Sequence, residues 1–284
     1  KSTLLKRVIT DEDVYFEAGR QETQVQISLL AGTIANLYSG FDMPLYPTWE
    51  SVLTAFNKVC RENSVLVLDE FPYMVEKDSS LPSVLQHILD SGELRYNLVI
   101  CGSSQRMMQH FVLDSTDPLY GRAHEKMNLR PIRPQHWQEA IHLDAVSTIE
   151  EYSVWGGVPR YWTLREEYPS LREAINELIL DEHGILYGEP SALFIDEAND
   201  IAPFQSIMTA LGHGNTRYSA VASAIGKKTT EISKPLNALT EMSYISKEIP
   251  FGESEEKTKK TLYVIDDNFM AFYYTFIEPH RSML

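Results

Sequence analysis

The chain has 284 residues and a formal net charge of −15, and 43% of its residues are hydrophobic. This length fits about two domains with buried cores, and the composition excludes a disordered, collagen-like or coiled-coil chain. The acidic charge argues against a nucleic-acid coat, and no apolar run approaches the ~18 residues of a membrane span. Two cysteines cannot build a disulfide framework, so we expect a reducing, cytoplasmic compartment and no membrane partner.

The first part of the chain alternates helix-period segments with short apolar runs, the pattern of parallel βαβ units. Continuous apolar runs predict strands that are covered on both faces. These strands are expected at residues 14–16, 64–68, 97–101 and 127–132, and helices at 24–38, 51–60 and 81–89. Residues 1–133 are therefore predicted to form an α/β domain around a parallel sheet.

The second part of the chain is predicted to be mostly helical. We expect a helical lid at residues 134–200 and a winged helix-turn-helix domain at 201–284. This winged helix is predicted because three short helices are followed by a two-stranded hairpin. These five elements are expected at residues 204–211, 218–225, 231–242, 244–250 and 261–265.

The first three residues, Lys1, Ser2 and Thr3, match the end of the phosphate-binding loop G-x-x-x-x-G-K-[ST]. In that loop the lysine reaches the β- and γ-phosphates, the hydroxyl holds Mg²⁺, and backbone N–H groups cradle the anion. The loop glycines and the strand before them are not in the sequence. A chance triplet is therefore the alternative if these residues are taken alone.

Two carboxylates, Asp69 and Glu70, follow the apolar run V-L-V-L. An aspartate at the carboxyl end of a buried strand can hold Mg²⁺ through water, and a neighbouring glutamate can polarise the attacking water. The alternative is that the pair only begins a solvated loop. Together with Lys1 and Ser2, the pair favours an ATP site with Mg²⁺ as the metal.

Polar residues also follow the next predicted strand and the loop beyond it. Ser103 and Ser104 can contact a γ-phosphate, although a Gly-Ser turn explains them equally well. Arg122 can offer a cation to a γ-phosphate in its own subunit or in a neighbouring copy of a homo-oligomer. A solvated arginine is the alternative.

In this order the motifs resemble the predominantly archaeal ATPase family of the STAND group, an AAA+-related branch of the P-loop NTPases. The resemblance covers nearly the whole chain and rests on K-S-T-L-L, V-L-V-L-D-E-F-P-Y, V-I-C-G-S-S, P-L-Y-G-R and G-G-V-P-R-Y. It implies that Gly157 and Pro159 lie against the nucleotide base. It also implies a chain that begins within the phosphate loop and lacks a C-terminal nuclease-like domain, so we expect weak ATP binding by these residues alone.

The predicted winged helix allows two uses. Lys227, Lys228 and Lys234 surround the start of its third helix, where they can meet DNA phosphates. Thr230 is the predicted N-cap of that helix, and Pro235 is expected within its first turn. The alternative is a winged helix that packs on the ATPase domain as a regulatory element.

The sequence thus predicts an ATP-hydrolysing molecular switch that couples nucleotide state to a winged helix. The competing hypothesis is a DNA-binding winged-helix regulator with a vestigial ATPase core. We favour the enzyme because a decayed site has no reason to keep both Asp69 and Glu70.

Overall fold

A computed structural model of the chain describes residues 1–104, 107–108, 111, 115–195, 200–254, 258 and 260–283. The chain divides into two compact units, Lys1–Leu129 and Arg130–Leu284. Within the described ranges, no helix is both long and apolar enough to cross a membrane.

The first unit is built on a parallel sheet, which confirms the predicted α/β architecture. Its strands β1 (Val14–Glu17), β2 (Val65–Asp69) and β3 (Asn97–Ile100) lie side by side in the order β1-β2-β3. The central strand β2 is an unbroken apolar run because both of its faces are covered, and Leu66 and Leu68 are fully buried. The carboxyl ends of the three strands therefore meet at one edge of the sheet.

Helices surround this sheet where the sequence has a 3.6-residue apolar period. Their buried residues share one core with the strands, and this core includes Ile27, Trp49, Phe56 and Phe71. The helices are α1 (Ser2–Val8), α2 (Thr23–Ala35), α3 (Trp49–Val59), α4 (Phe71–Lys77) and α5 (Leu81–Asp90).

The predicted strand at residues 127–132 is wrong. These residues form no strand, and Met127 is 76% exposed. The Ile132 amide donates to the Gly157 carbonyl at 2.9 Å, so its backbone pairs with a turn of the second unit. A short apolar run predicts burial, but a strand also needs a neighbouring strand edge with free hydrogen-bonding groups.

The second unit begins with short helices that pack into one hydrophobic cluster containing Trp155, Trp162 and Phe194. A π-helical segment, Asn176–Leu180, continues the α9 helix. The helices are α6 (Pro134–Ile141), α7 (Ala145–Trp155), α8 (Pro159–Arg165), α9 (Leu171–Ile175) and α10 (Glu189–Ile195).

The last part of the second unit has three helices and a small antiparallel sheet, in the order that the sequence predicts. The elements are α11 (Ala202–Gly212), α12 (Tyr218–Ala224), α13 (Thr229–Glu241), β4 (Ile245–Glu248), β5 (Leu262–Ile265) and α14 (Asn268–Phe272). A π-helical segment, Tyr273–Ile277, and a 3₁₀ turn, Glu278–His280, follow α14. One hydrophobic cluster includes residues from Val154 to Ile277, on both sides of position 200. The predicted domain boundary at residue 200 remains a prediction.

Two details predicted for the start of α13 are wrong. Lys228, not Thr230, occupies the N-cap position, and the Lys228 amide donates to the Glu231 carboxylate at 2.9 Å. Pro235 consequently lies in the second turn instead of the first. Its ring nitrogen cannot donate to the carbonyl four residues earlier. Burial of Ile232 and Leu236 on the inner face stabilises the helix across this gap.

We predict that Gly157→Ala destabilises the second unit by about 2 kcal/mol, within the usual range for overpacking. A Cβ at position 157 would lie 2.5 Å from the Ile132 amide nitrogen. Because this is a backbone atom, no change of side-chain rotamer can relieve the overlap. Urea unfolding measures the change. Gly188→Ala is the matched control because a Cβ there has nothing within 4 Å. Equal stability of the two variants would contradict the prediction.

Candidate functional site

A buried carboxylate lies at the carboxyl edge of the first unit's sheet. Asp69 is the last residue of β2 and is 1% exposed. Parallel pairing sets Glu17 of β1 opposite Asp69, and Leu68 opposite Ile100 of β3. Residues that follow β3 are therefore brought next to Asp69, as expected where parallel strands end together.

Four donors surround the Asp69 carboxylate. The hydroxyls of Ser2 and Tyr15 donate to Oδ2, with 2.6 Å between Ser2 Oγ and that oxygen. The Cys101 thiol and the Glu70 amide donate to Oδ1 at 2.7 and 2.9 Å. These donors come from α1, β1 and the ends of β2 and β3, so the carboxylate joins all four elements.

The hydrogen bonds keep this buried group ionised. Burial by itself would raise the pKa of Asp69, but the bonds from Cys101, Ser2, Tyr15 and the Glu70 amide together lower it. Burial and the hydrogen bond to Asp69 raise the pKa of the Cys101 thiol to about 12. Cys101 therefore stays a neutral donor at neutral pH.

Glu70 has a strained backbone next to this cluster. Its φ of +55° lies in the left-handed region, which a residue with a Cβ rarely adopts. The Ser103 amide and hydroxyl both donate to Glu70 Oε2 at 2.9 Å. Strain of this kind concentrates at functional sites. The structure thus brings Glu70 and Ser103 into contact, and their roles at a nucleotide remain predictions.

Lys1 lies on the other side of the same edge. Its ammonium donates to the Gly102 carbonyl at 2.6 Å, and it has no ion pair among the described residues. A Cβ on Gly102 would overlap the ring of Pro72, which explains a glycine at this point of the loop. Lys1 is therefore a cation held by backbone oxygen of the loop after β3, the loop whose Ser103 binds Glu70.

Other predicted residues lie further from Asp69. Ser104 is buried, and its hydroxyl accepts a hydrogen bond from the Met107 amide at 3.2 Å. Thr3 is exposed on α1. Their predicted contacts with nucleotide remain predictions.

The Arg122 side chain binds Asp90, the last residue of α5. Its guanidinium makes two hydrogen bonds of 2.7 Å to the Asp90 carboxylate and donates to the Pro118 carbonyl at 2.8 Å. The bonds from Arg122 lower the pKa of Asp90. A role at a γ-phosphate requires Arg122 to leave Asp90 or to act on another copy of the chain, and it remains a prediction.

Gly157 and Pro159 belong to the second unit. Gly157 packs against the backbone of Ile132, and Pro159 is the first residue of α8. Proline suits this position because the first N–H groups of a helix have no partner within the helix. The structure explains both residues by packing and helix initiation, and their contact with a nucleotide base remains a prediction.

Sequence reasoning missed Tyr15 and Cys101, which complete the shell around Asp69. Tyr15 and Cys101 were each expected only as part of a strand. Parallel register offers a signal for Tyr15, because Tyr15 pairs with Val67 and side chains two residues apart share one face of a strand. The register itself was not available from the sequence.

The residues at this edge fit a magnesium ion by the chemistry of their donors. Ser2 and Asp69 present oxygen atoms 2.6 Å apart, and oxygen is the ligand that Mg²⁺ prefers. Among the described residues, no group of three or more His, Cys, Asp or Glu side chains could hold a metal ion. Mg²⁺ is usually bound by one or two protein groups together with phosphates and water, a number of protein ligands that Ser2 and Asp69 can supply.

No protein-family model matches the chain. An uncharacterized protein of Methanocaldococcus jannaschii is 29% identical over 229 residues, which cover 78% of this chain and 51% of that protein. The chain therefore spans about half the length of this curated relative.

Solved structures are similar only at a distance. The Orc2 protein of Aeropyrum pernix with ADPNP and ADP has a TM-score of 0.49 and 13% identity, over 99% of this chain and 81% of that chain. The RuvB branch migration motor of Thermotoga maritima has a TM-score of 0.36 and 12% identity, over 90% and 88%.

We predict that Asp69→Asn lowers the free energy of unfolding by about 2 kcal/mol at pH 7, because buried hydroxyl donors then face an amide group. The folded pKa of Asp69 lies below its unfolded value, so its contribution is present above about pH 4 and is lost as pH falls through the folded pKa. The difference between parent and variant should therefore shrink from pH 7 toward pH 3.

Urea unfolding at several pH values measures this difference. The control is Asp11→Asn, because Asp11 is exposed and belongs to the same unit. A difference for Asp69→Asn that stays constant with pH would show that ionisation of Asp69 does not stabilise the fold.

Proposed function

We propose that this chain belongs to a P-loop ATPase of the STAND type, related to the AAA+ proteins, that acts as a nucleotide-dependent switch. The observation that carries the proposal is the bond between Ser2 Oγ and Asp69 Oδ2. Lys1 precedes Ser2 and its ammonium bonds to the Gly102 carbonyl, and Glu70 follows Asp69. A phosphate-loop lysine and hydroxyl next to a strand-end acidic residue is the arrangement by which P-loop NTPases hold ATP and Mg²⁺. The resemblance of the ordered motifs supports the same class.

The proposed binding step uses the first turn of α1. Lys1 leaves the Gly102 carbonyl for the β- and γ-phosphates, which are stronger partners for an ammonium than a neutral oxygen. Ser2 and Asp69 would hold Mg²⁺, Asp69 through water. When bound, Mg²⁺ neutralises charge on the β- and γ-phosphates.

The proposed hydrolysis step uses Glu70. Its Oε2 accepts from Ser103, and its Oε1 has no partner among the described residues, so Oε1 is available to a water molecule. Glu70 accepts a proton from this water as the water oxygen bonds to the γ-phosphorus and the bond to the β-phosphate oxygen breaks. ADP and inorganic phosphate are the products. Ser103 would report the presence of the γ-phosphate through its bond to Glu70.

The remaining roles come from the resemblance and are proposed with it. Arg122 would contact the γ-phosphate of a neighbouring copy, and Gly157 with Pro159 would contact the base. The segment from α11 to β5 would be a winged helix whose position depends on the nucleotide.

We expect Glu70→Gln to keep ATP binding and to slow hydrolysis by ~10²-fold or more, the usual contribution of a general base. The measurements are calorimetry for binding and phosphate release for hydrolysis, in a version of the chain with the glycine-rich half of the loop supplied ahead of Lys1. Glu62→Gln is the matched control because Glu62 is exposed in the same unit. Hydrolysis at the parent rate by Glu70→Gln would remove the catalytic role.

DNA binding is a second candidate because Lys227, Lys228 and Lys234 are all exposed around the first turns of α13. Lys227 lies 3.6 Å from the Glu231 carboxylate, which competes with a phosphate for it. Lys228 and Lys234 have no such ion pair among the described residues. The segment thus offers two unengaged cations, which is modest for a DNA reader.

If this surface contacts DNA, log affinity should fall with log salt at a slope of about −2, since each phosphate contact contributes ~0.9. Replacing Lys227, Lys228 and Lys234 by Ala together should remove most of that slope without changing sequence preference. Fluorescence anisotropy with duplex DNA at several salt concentrations measures both. A parent protein without salt-dependent binding would exclude this second candidate.

A further inference from the structure

Tyr15 contributes a hydroxyl to the site, although no motif includes this residue. The Tyr15 side chain is half-buried on β1, and its hydroxyl donates to the same Asp69 oxygen as Ser2 does. Burial, followed by the bond to Asp69, raises the pKa of Tyr15 well above its usual value. The phenol is therefore a neutral donor at any physiological pH.

The ring of Tyr15 is fixed from outside the cluster. The Lys6 ammonium lies 4.6 Å from the ring centroid, and the same ammonium pairs with Glu17 at 3.3 Å. Lys6 is on α1, the helix that begins with Ser2, and Glu17 ends β1. The contact thus connects the helix that holds Ser2 to the strand that holds Tyr15.

The acceptor sites of Asp69 are all in use. A carboxylate offers about four lone-pair directions, and four donors meet this one. Ser2 would present its oxygen to a bound cation, so the orientation of its hydroxyl toward Oδ2 would be set by the cation as well as by Asp69. Tyr15 can stay where it is, because it does not belong to the phosphate loop. The remaining side-chain donor, the Cys101 thiol, is a weak one.

From this geometry we propose that Tyr15 is a positioning residue for the metal, holding Asp69 in its metal-binding orientation while Ser2 binds the cation. The proposal rests on the ATPase function proposed above. Groups that orient a metal ligand through a hydrogen bond commonly change metal affinity ~10- to 100-fold when they are removed. Removal of the Tyr15 hydroxyl should therefore weaken metal binding and leave the nucleotide contacts unchanged.

The test uses the version of the chain with the glycine-rich half of the loop supplied ahead of Lys1. It measures the dissociation constant of the non-hydrolysable ATP analogue ADPNP in EDTA and with Mg²⁺, and takes the ratio of the EDTA constant to the Mg²⁺ constant. This ratio isolates the contribution of the metal without any turnover. Tyr15→Phe removes only the hydroxyl. Tyr46→Phe is the matched control, because Tyr46 is also half-buried in this unit and its hydroxyl donates to the Phe41 carbonyl at 2.9 Å.

We expect Tyr15→Phe to reduce the ratio ~10-fold with an unchanged constant in EDTA, and Tyr46→Phe to leave both constants unchanged. An unchanged ratio in Tyr15→Phe would show that the Tyr15 hydroxyl does not affect metal binding, and would overturn the proposal. A larger ratio would overturn it too, because Tyr15 would then compete with the metal. A parent that binds no ADPNP in either buffer contradicts the ATPase function, whereas a failure of Tyr15→Phe alone leaves that function intact.

Discussion

The arrangement of the first unit depends on burying one ionised carboxylate. A carboxylate loses its hydration in the interior, and only hydrogen bonds that replace the lost water make this tolerable. Asp69 receives these bonds from α1, from β1, from its own neighbour and from the residue after β3. A shift of any one of these elements leaves a buried donor or acceptor unpaired. The site and the edge of the sheet are therefore stabilised by the same contacts.

The loops around Asp69 are built to permit this approach. Glu70 takes a left-handed backbone so that α4 can begin directly after β2, and its side chain then reaches Ser103. Gly102 has no Cβ, which lets the loop after β3 pass against Pro72. The strain at Glu70 is local, whereas the packing of β2 and α4 that enforces it is extensive. This places two carboxylates with different surroundings at one edge, one buried and one partly open to water.

Sequence patterns predicted elements well where burial and period agree. The apolar run that became β2 and the periodic segment that became α3 are examples, since each has a covered face along its whole length. The patterns failed at residues 127–132 and at Thr230. In the first case the apolar run pairs with no strand among the described residues, because Ile132 bonds to the carbonyl of Gly157. In the second case the backbone amide of Lys228, two residues before Thr230, bonds to the Glu231 carboxylate. The first outcome depends on a partner distant in the sequence, and the second on a choice between two neighbouring N-cap positions.

The sequence by itself predicted the parallel α/β class of the first unit, which the structure confirms. It also predicted one nucleotide site formed by Lys1, Ser2, Asp69 and Glu70, and that site remains a prediction. It could make these predictions because strand ends and loop residues of a parallel sheet are ordered along the chain. Only the tertiary structure decided that Tyr15 and Cys101 complete the shell of Asp69, and that Arg122 is held by Asp90. Strand register and the packing of α1 bring these side chains into contact, and neither can be predicted from a local pattern of residues.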